Sequence, residues 1–304
     1  MKKLNTYIKE AFNFRINRET AKGTQIFVPR EWNELREILE DIYSKLGPGT
    51  KQNPIDLNNI DVSNMSTFYS GISGIFEELQ FEYIDISKWD VSNIEDIHYM
   101  FEDCSKLKSV GDLSDWNVSN VKDMYKMFHR CPRLQYIGDL SKWDVSNVES
   151  MAYMFNECKN LESVGDLSNW DVSRVTHINS MFNECAKLES VGDLSKWNVS
   201  SVEDMRKMFN NCINLKSVGD LFNWDISNVE DISYMFYNCK NLESVGDLSK
   251  WNVSSIQHMS NMFYNCNKLT SVGDLSKWDV SKINYKLDMF AGTAIKNKPS
   301  WYKE

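Results

Sequence analysis

Seven cysteines, Cys104, Cys131, Cys158, Cys185, Cys212, Cys239 and Cys266, recur at intervals of 27 residues. Eight tryptophans keep the same interval: Trp89, Trp116, Trp143, Trp170, Trp197, Trp224, Trp251 and Trp278. A period of roughly 20 to 50 residues is the signature of a stacked repeat. A solenoid grows in one dimension and each unit contacts only its neighbours, so the 304-residue length does not set a domain count. Repetition places like residues in rows, whereas a catalytic site needs unlike residues converging at one point. The period therefore points to binding rather than catalysis.

Alignment on tryptophan gives seven full coils, 89–115, 116–142, 143–169, 170–196, 197–223, 224–250 and 251–277. Residues 278–304 begin as another coil, then decay: Thr293 stands where a cysteine is due and the chain closes on KNKPSWYKE, as expected of a degenerate C-terminal capping coil. Upstream, Ile60 to Met65 echo the WDVSNV motif without its tryptophan, which makes 57–88 an atypical first coil and 57–277 the repeat solenoid. Residues 25–56 read as an N-terminal helical cap. Pro29 fits the first helical position, Leu35, Ile38, Leu39, Ile42, Tyr43 and Leu46 form an apolar stripe, and Gly47-Pro48-Gly49 ends the run. Residues 1–24, polar and mixed, read as a flexible N-terminal arm.

Within the coil from Trp143, the apolar positions Val148, Met151, Met154, Phe155 and Cys158 fall on one face at helical spacing. Ser146 precedes Glu149 by three residues, the capping-box spacing, as do Ser92/Glu95, Ser200/Glu203 and Ser227/Glu230. The spacing predicts a helix of two to three turns per coil, ending near the cysteine. Leu161, Val164 and Leu167 then predict a short strand and bend, with Gly165 supplying a positive φ or a close approach. Parallel pairing of one strand per coil would stack coils about 4.8 Å apart. Ten of the 27 positions are apolar in coil after coil, and only stacking can bury them. The expected fold is an α/β solenoid: a right-handed, leucine-rich-repeat-like stack of about eight coils, each with one short parallel strand and one short helix, behind an N-terminal capping helix.

The phrases WDVSNVESMAYMF, MFYNCKNLESV and WNVSSIQHM resemble the BspA-like family of bacterial leucine-rich-repeat proteins, which includes repeats of Mycoplasma lipoproteins. The resemblance covers roughly residues 57–292. It implies a right-handed solenoid, no enzymatic activity, and roles in adhesion or protein–protein contact in bacteria or their phages. Surface members carry export signals. The N-terminus here, with Lys9, Glu10 and Arg15 interrupting any apolar run, reads as lacking one.

Net charge −9 and a pI near 5.1 argue against nucleic acid or an anionic membrane as the main partner. No apolar run of about 18 residues predicts a membrane span. The odd cysteine count and the absence of C-x-x-C pairs favour buried reduced thiols over disulfides or zinc, in keeping with a reducing compartment. His98, His129, His177 and His258 are the only histidines, and no two are placed to share a metal. Asp112, Asp139, Asp166, Asp193, Asp220, Asp247 and Asp274 form a row that needs an offset for like-charge repulsion. Backbone N–H groups, the lysines Lys142, Lys196, Lys250 and Lys277, or calcium could supply it. A mixed row, Asp90, Asn117, Asp144, Asp171, Asn198, Asp225, Asn252 and Asp279, tolerates acid-for-amide exchange and so reads as hydrogen-bonding structure.

No catalytic residues, metal ligands or cofactors are expected. Candidate protein-binding residues are Tyr99, Tyr125, Arg130, Tyr153, Arg206, Tyr234, Tyr237 and Tyr264, on the variable outward positions of the expected helices. The competing reading is a solvated face on which tyrosine stems cover their neighbours. The strand side, with Glu162, Glu189, Glu243 and the exception Tyr136, stays open as a binding face. The expected function is a non-enzymatic, protein-binding solenoid, cytoplasmic or virion-associated. The alternatives are an exported adhesin, or a repeat-fused enzyme that would need a further domain.

Overall fold

The computed structural model describes residues 27–68 and 74–303; the expected flexible arm, 1–24, lies outside them. Helix α1 spans Trp32–Leu46 and buries Leu35, Ile38, Leu39 and Ile42 against the continuous apolar core. Arg36 ties its flank to the first coil, its Nη1 donating to Ile75 O at 3.1 Å. Gly47 ends α1 at φ 73°, its N–H donating to Tyr43 O at 2.8 Å. Pro29 is not at the first helical position. The backbone is still extended at Glu31, because Phe27 is bridged to Ile60, and the helix starts at Trp32.

Strands β1, Ile55–Asp56, and β2, Ile84–Asp85, pair in parallel with Ile55 opposite Ile84. Beyond them, parallel pairing between coils shrinks to single-residue bridges. One row of parallel bridges runs through Thr67, Asp96, Asp123, Ser150, His177, Asp204, Asp231, His258 and Tyr285. A second joins Tyr83, Ser109 and Tyr136, and later Ser217 and Ser244. Nearly every partner stands one 27-residue period away, so neighbouring coils lie in register.

The expected helix in each coil is absent; α1 is the one α-helix among the described residues. Tight turns replace it. Met154, Asn156, Cys158 and Leu161 each donate an N–H three residues back, to Met151, Tyr153, Phe155 and Cys158, at 3.0–3.2 Å. The N–H groups between them leave the coil: Met151 to His177 O, Tyr153 to Asn179 O, Phe155 to Met181 O and Glu157 to Asn183 O, at 2.7–3.0 Å. Tyr153 and Glu157 have φ of 59° and 63°, outside any right-handed helix. Steps of three residues put the same side chains inward in either conformation. With another coil within reach, bonding across the junction satisfies backbone groups that an isolated helix would pair internally. The capping box fails for the same reason. Ser146 directs both its N–H and its Oγ to Asp144 Oδ1, at 3.1 and 2.6 Å.

The interior is a set of aligned rows. Trp170 and Trp197 stack with centroids 6.5 Å apart and planes 3° from parallel. Phe182 and Phe209 stack at 5.6 Å and 7°. Each indole also fixes its height: Trp197 Nε1 donates to Leu167 O, 30 residues back, at 2.9 Å, and the bond recurs from Trp89 to Trp278. The C-terminal segment adds one more ring to the row. Trp301 stacks on Trp278 at 6.2 Å, and its Nε1 donates to Leu275 O at 2.8 Å.

Candidate functional site

The outward positions of each coil lie on the turns that replace the expected helix. Tyr99, Tyr125 and Tyr153 form an edge-to-face row, with centroids 5.5 and 5.9 Å apart. Lys126 Nζ lies 5.2 Å from the Tyr99 ring and 5.4 Å from the Tyr125 ring, and 2.9 Å from Glu102 Oε1. Burial works against the charge on Lys126, but the Glu102 carboxylate outweighs it and raises the pKa. Burial likewise raises that of Tyr125.

A second cluster sits further along. Tyr234 and Tyr237 lie 5.5 Å apart, Tyr237 and Tyr264 stack at 5.0 Å and 8°, and Lys207 Nζ is 5.8 Å from the Tyr234 ring. Six of the eight expected residues, the tyrosines, thus fall into two aromatic clusters. Asn179, Ser180 and Lys207 occupy the equivalent positions between them. All six tyrosines are half-buried. Arg130 is exposed, 3.7 Å from both Asp103 and Glu157, and Arg206 lies against Asp204 and Asp231.

A polar row runs beneath this surface. Asn210 Nδ2 donates to Asn183 Oδ1, and Asn183 Nδ2 to Asn156 Oδ1, both at 2.5 Å. Asn156 Nδ2 therefore faces His129 Nδ1, at 2.7 Å, so Nδ1 accepts and the ring proton sits on Nε2. Burial, helped by Lys126 and Arg130, pushes the pKa of His129 down to about 4. His129 is thus a buried, neutral structural group.

The aspartate row finds its offset in the backbone. Asp112, Asp139, Asp166, Asp193, Asp220, Asp247 and Asp274 each accept the N–H two residues on, at 2.9–3.0 Å. These bonds hold the carboxyl of Asp193 below its usual value. Gly165 serves both purposes expected of it: φ is 84°, and a Cβ there would collide with Asp139 Oδ1 of the preceding coil. The mixed row behaves alike. Asp171 and Asn198, for example, accept from the N–H of Ser173 and Ser200 at 3.0 and 3.2 Å.

All seven thiols are free and buried. Each donates to the carbonyl of a phenylalanine in the coil before it, from Cys104 with Phe76 to Cys266 with Phe236, at 2.9–3.3 Å. Burial raises the pKa of Cys185, and of Cys266 to about 12, which removes them as nucleophiles.

On the strand side, Lys216 Nζ reaches Glu189 Oε2 at 2.6 Å and Lys187 Nζ lies 3.9 Å from Glu162 Oε1. Glu162, Lys187 and Glu189 line an open groove with Ser163, Asp166 and Asn214. Tyr136 stands out at 50% exposure, its hydroxyl donating to Asp112 Oδ2 at 3.0 Å.

One constellation joins a histidine to carboxylates rather than to a second histidine. His98 lies between two aspartates, Nδ1 2.5 Å from Asp96 Oδ1 and 3.9 Å from Asp123 Oδ2. The signal in the sequence is an Asp-x-His with a second Asp one period beyond the first.

A family model described as "Mycoplasma protein of unknown function, DUF285" matches residues 43–164, 132–243 and 214–301. The match agrees with the resemblance carried by the repeat phrases. Among solved structures, a leucine-rich repeat protein from Eubacterium ventriosum aligns at 15% identity over 80% of this chain and 78% of its own, with a TM-score of 0.38. The T. pallidum leucine-rich repeat protein aligns at 15% identity over 69% of this chain and 89% of its own, with a TM-score of 0.27. No curated protein matches the sequence. Among the described residues no helix is long and apolar enough to cross a membrane.

Proposed function

The chain belongs to the DUF285 family of Mycoplasma proteins of unknown function, and from that footing we propose that it is a non-enzymatic solenoid that binds another protein. One observation carries the reading. Interior rows repeat with little change from coil to coil, whereas the outward turns concentrate tyrosine and cationic side chains into two packed clusters, Tyr99–Tyr125–Tyr153 with Lys126 and Tyr234–Tyr237–Tyr264 with Lys207. Half-buried tyrosines offer apolar area and a hydroxyl with little ordering left to lose, the usual make-up of an interface anchor. Arg130 and Arg206 flank these clusters. The acidic balance supports a protein partner over nucleic acid.

The finer architecture belongs to the same proposal. About eight right-handed coils form the stack, with α1 closing one end and residues 278–303 the other. The stripe of α1 in the core and the stacking of Trp301 on Trp278 support both caps. Seven free thiols support a reducing compartment, hence a cytoplasmic or virion-associated protein.

The test is affinity capture with the full chain beside two folded triple variants, Y99S/Y125S/Y153S and Y234S/Y237S/Y264S. Loss of the same captured protein with one variant, at an unchanged melting temperature, supports the assignment. Capture indifferent to both discards these clusters as the site. Cell fractionation addresses location, and recovery on the cell surface would favour the adhesin alternative.

A further inference from the structure

The bridge row carries one arrangement twice, with a single exchange. Asp204 and Asp231 are consecutive members of the row, and Arg206, two residues past the first, reaches both carboxylates: Nη2 to Asp204 Oδ2 at 3.3 Å and Nη1 to Asp231 Oδ2 at 3.9 Å. Asp96 and Asp123 are likewise consecutive, and His98 stands where Arg206 stands, four coils earlier. All three side chains are half-buried, and one ligand atom from each lies within 4.8 Å of the others.

Paired, partly desolvated carboxylates call for a cation. Arg206 supplies a permanent charge to the later pair. The earlier pair has an imidazole in that place, which is a nitrogen ligand. Lys122, the cation next to Asp123 in sequence, is engaged instead with Glu95 at 2.7 Å.

We propose that Asp96, His98 and Asp123 bind a divalent cation of the zinc class, which takes the place that the Arg206 guanidinium holds four coils further on. One imidazole nitrogen with two carboxylate oxygens is a three-residue set that leaves a position open. The nitrogen favours zinc, cobalt or nickel over magnesium or calcium, which favour oxygen ligands. Two carboxylates neutralise the ion. The His98 ring is 4.7 Å from that of Tyr99, which places the ion beside the first tyrosine cluster.

The test is titration of the full chain with zinc chloride by calorimetry, with cobalt(II) absorption as the spectroscopic partner. Wild type should take up one zinc per chain, and the cobalt adduct should lack thiolate-to-metal charge transfer. His98→Arg and Asp123→Asn should each weaken binding about tenfold or more, since even outer-shell changes cost that much. His98→Arg should keep the melting temperature, because its guanidinium fills the gap. Arg206→His should add a second site with Asp204 and Asp231, raising the stoichiometry to two. No saturable uptake by wild type, uptake indifferent to both losses, thiolate charge transfer, or a stoichiometry unmoved by Arg206→His would each overturn the assignment.

Discussion

Cys185 donates its thiol proton to the carbonyl of Phe155 across the junction between two coils, at 3.2 Å. The row of such bonds explains why cysteine, rather than alanine or valine, fills the position: the side chain is small and apolar, yet its S–H adds a bond across the junction to a carbonyl that also accepts the turn N–H of Cys158. Burial raises the pKa of Cys131, Cys158, Cys185, Cys212, Cys239 and Cys266. Unfolded thiols ionise near 9.0 while the folded ones keep their protons. Their contribution to stability is complete below that pH and is lost as pH rises through the folded values. Urea midpoints should fall steeply above pH 9, less so in a C158A/C185A/C212A variant, and native protein should resist thiol reagents that label it once unfolded.

His129 gives the opposite dependence. Its folded pKa of about 4 lies below the ordinary 6.5, so between these values the unfolded chain takes up a proton that the folded chain refuses. Stability should decline as pH drops from 6.5 to 4 and then level off. His129→Asn would extend the amide row of Asn156, Asn183 and Asn210, and should remove that decline from the denaturation profile.

Phe182 is fully buried and lies between Phe155 and Phe209 in its row, at 5.5 and 5.6 Å. Phe182→Ala should cost about 3–5 kcal/mol in urea denaturation, the range for a large buried aromatic. Phe182→Asp, which puts an unpaired charge in the same row, should split the unfolding transition in two.

Trp301 extends the indole row by one ring, although it comes 23 residues after Trp278 instead of 27. Trp301→Ala should remove hydrogen-exchange protection from 278–303 first and leave the central coils protected. Uniform loss along the chain would show that the terminal indole does not act as a local cap.

The rows were legible in the sequence because burial by stacking demands the same residue at the same position, as at Trp170 and Trp197. A hydrogen-bonding role for the mixed row was legible too, in the exchange of Asp171 for Asn198, and the structure makes it a turn bond to Ser173 and Ser200. The turns that replace the helices were not. Val148, Met151, Met154, Phe155 and Cys158 point inward in either conformation, and the choice rests on hydrogen bonds to residues 26 positions away. Lys126, Tyr153 and Lys207 adopt positive φ without a residue type that announces it. The site was partly legible. Tyrosines could be picked out, but their division into two clusters and the meeting of Asp96, His98 and Asp123 depend on register between coils.

Register is open to a direct measurement: the thermal stability of two deletions in the full chain, one removing residues 170–196 and the other 170–195. The first joins Asn169 to Trp197 and restores every row, so it should unfold cooperatively at nearly the wild-type temperature. The second shifts every later side chain by one position and should lose the cooperative transition. Equal behaviour of the two proteins would contradict the stacking of coils in a fixed 27-residue register.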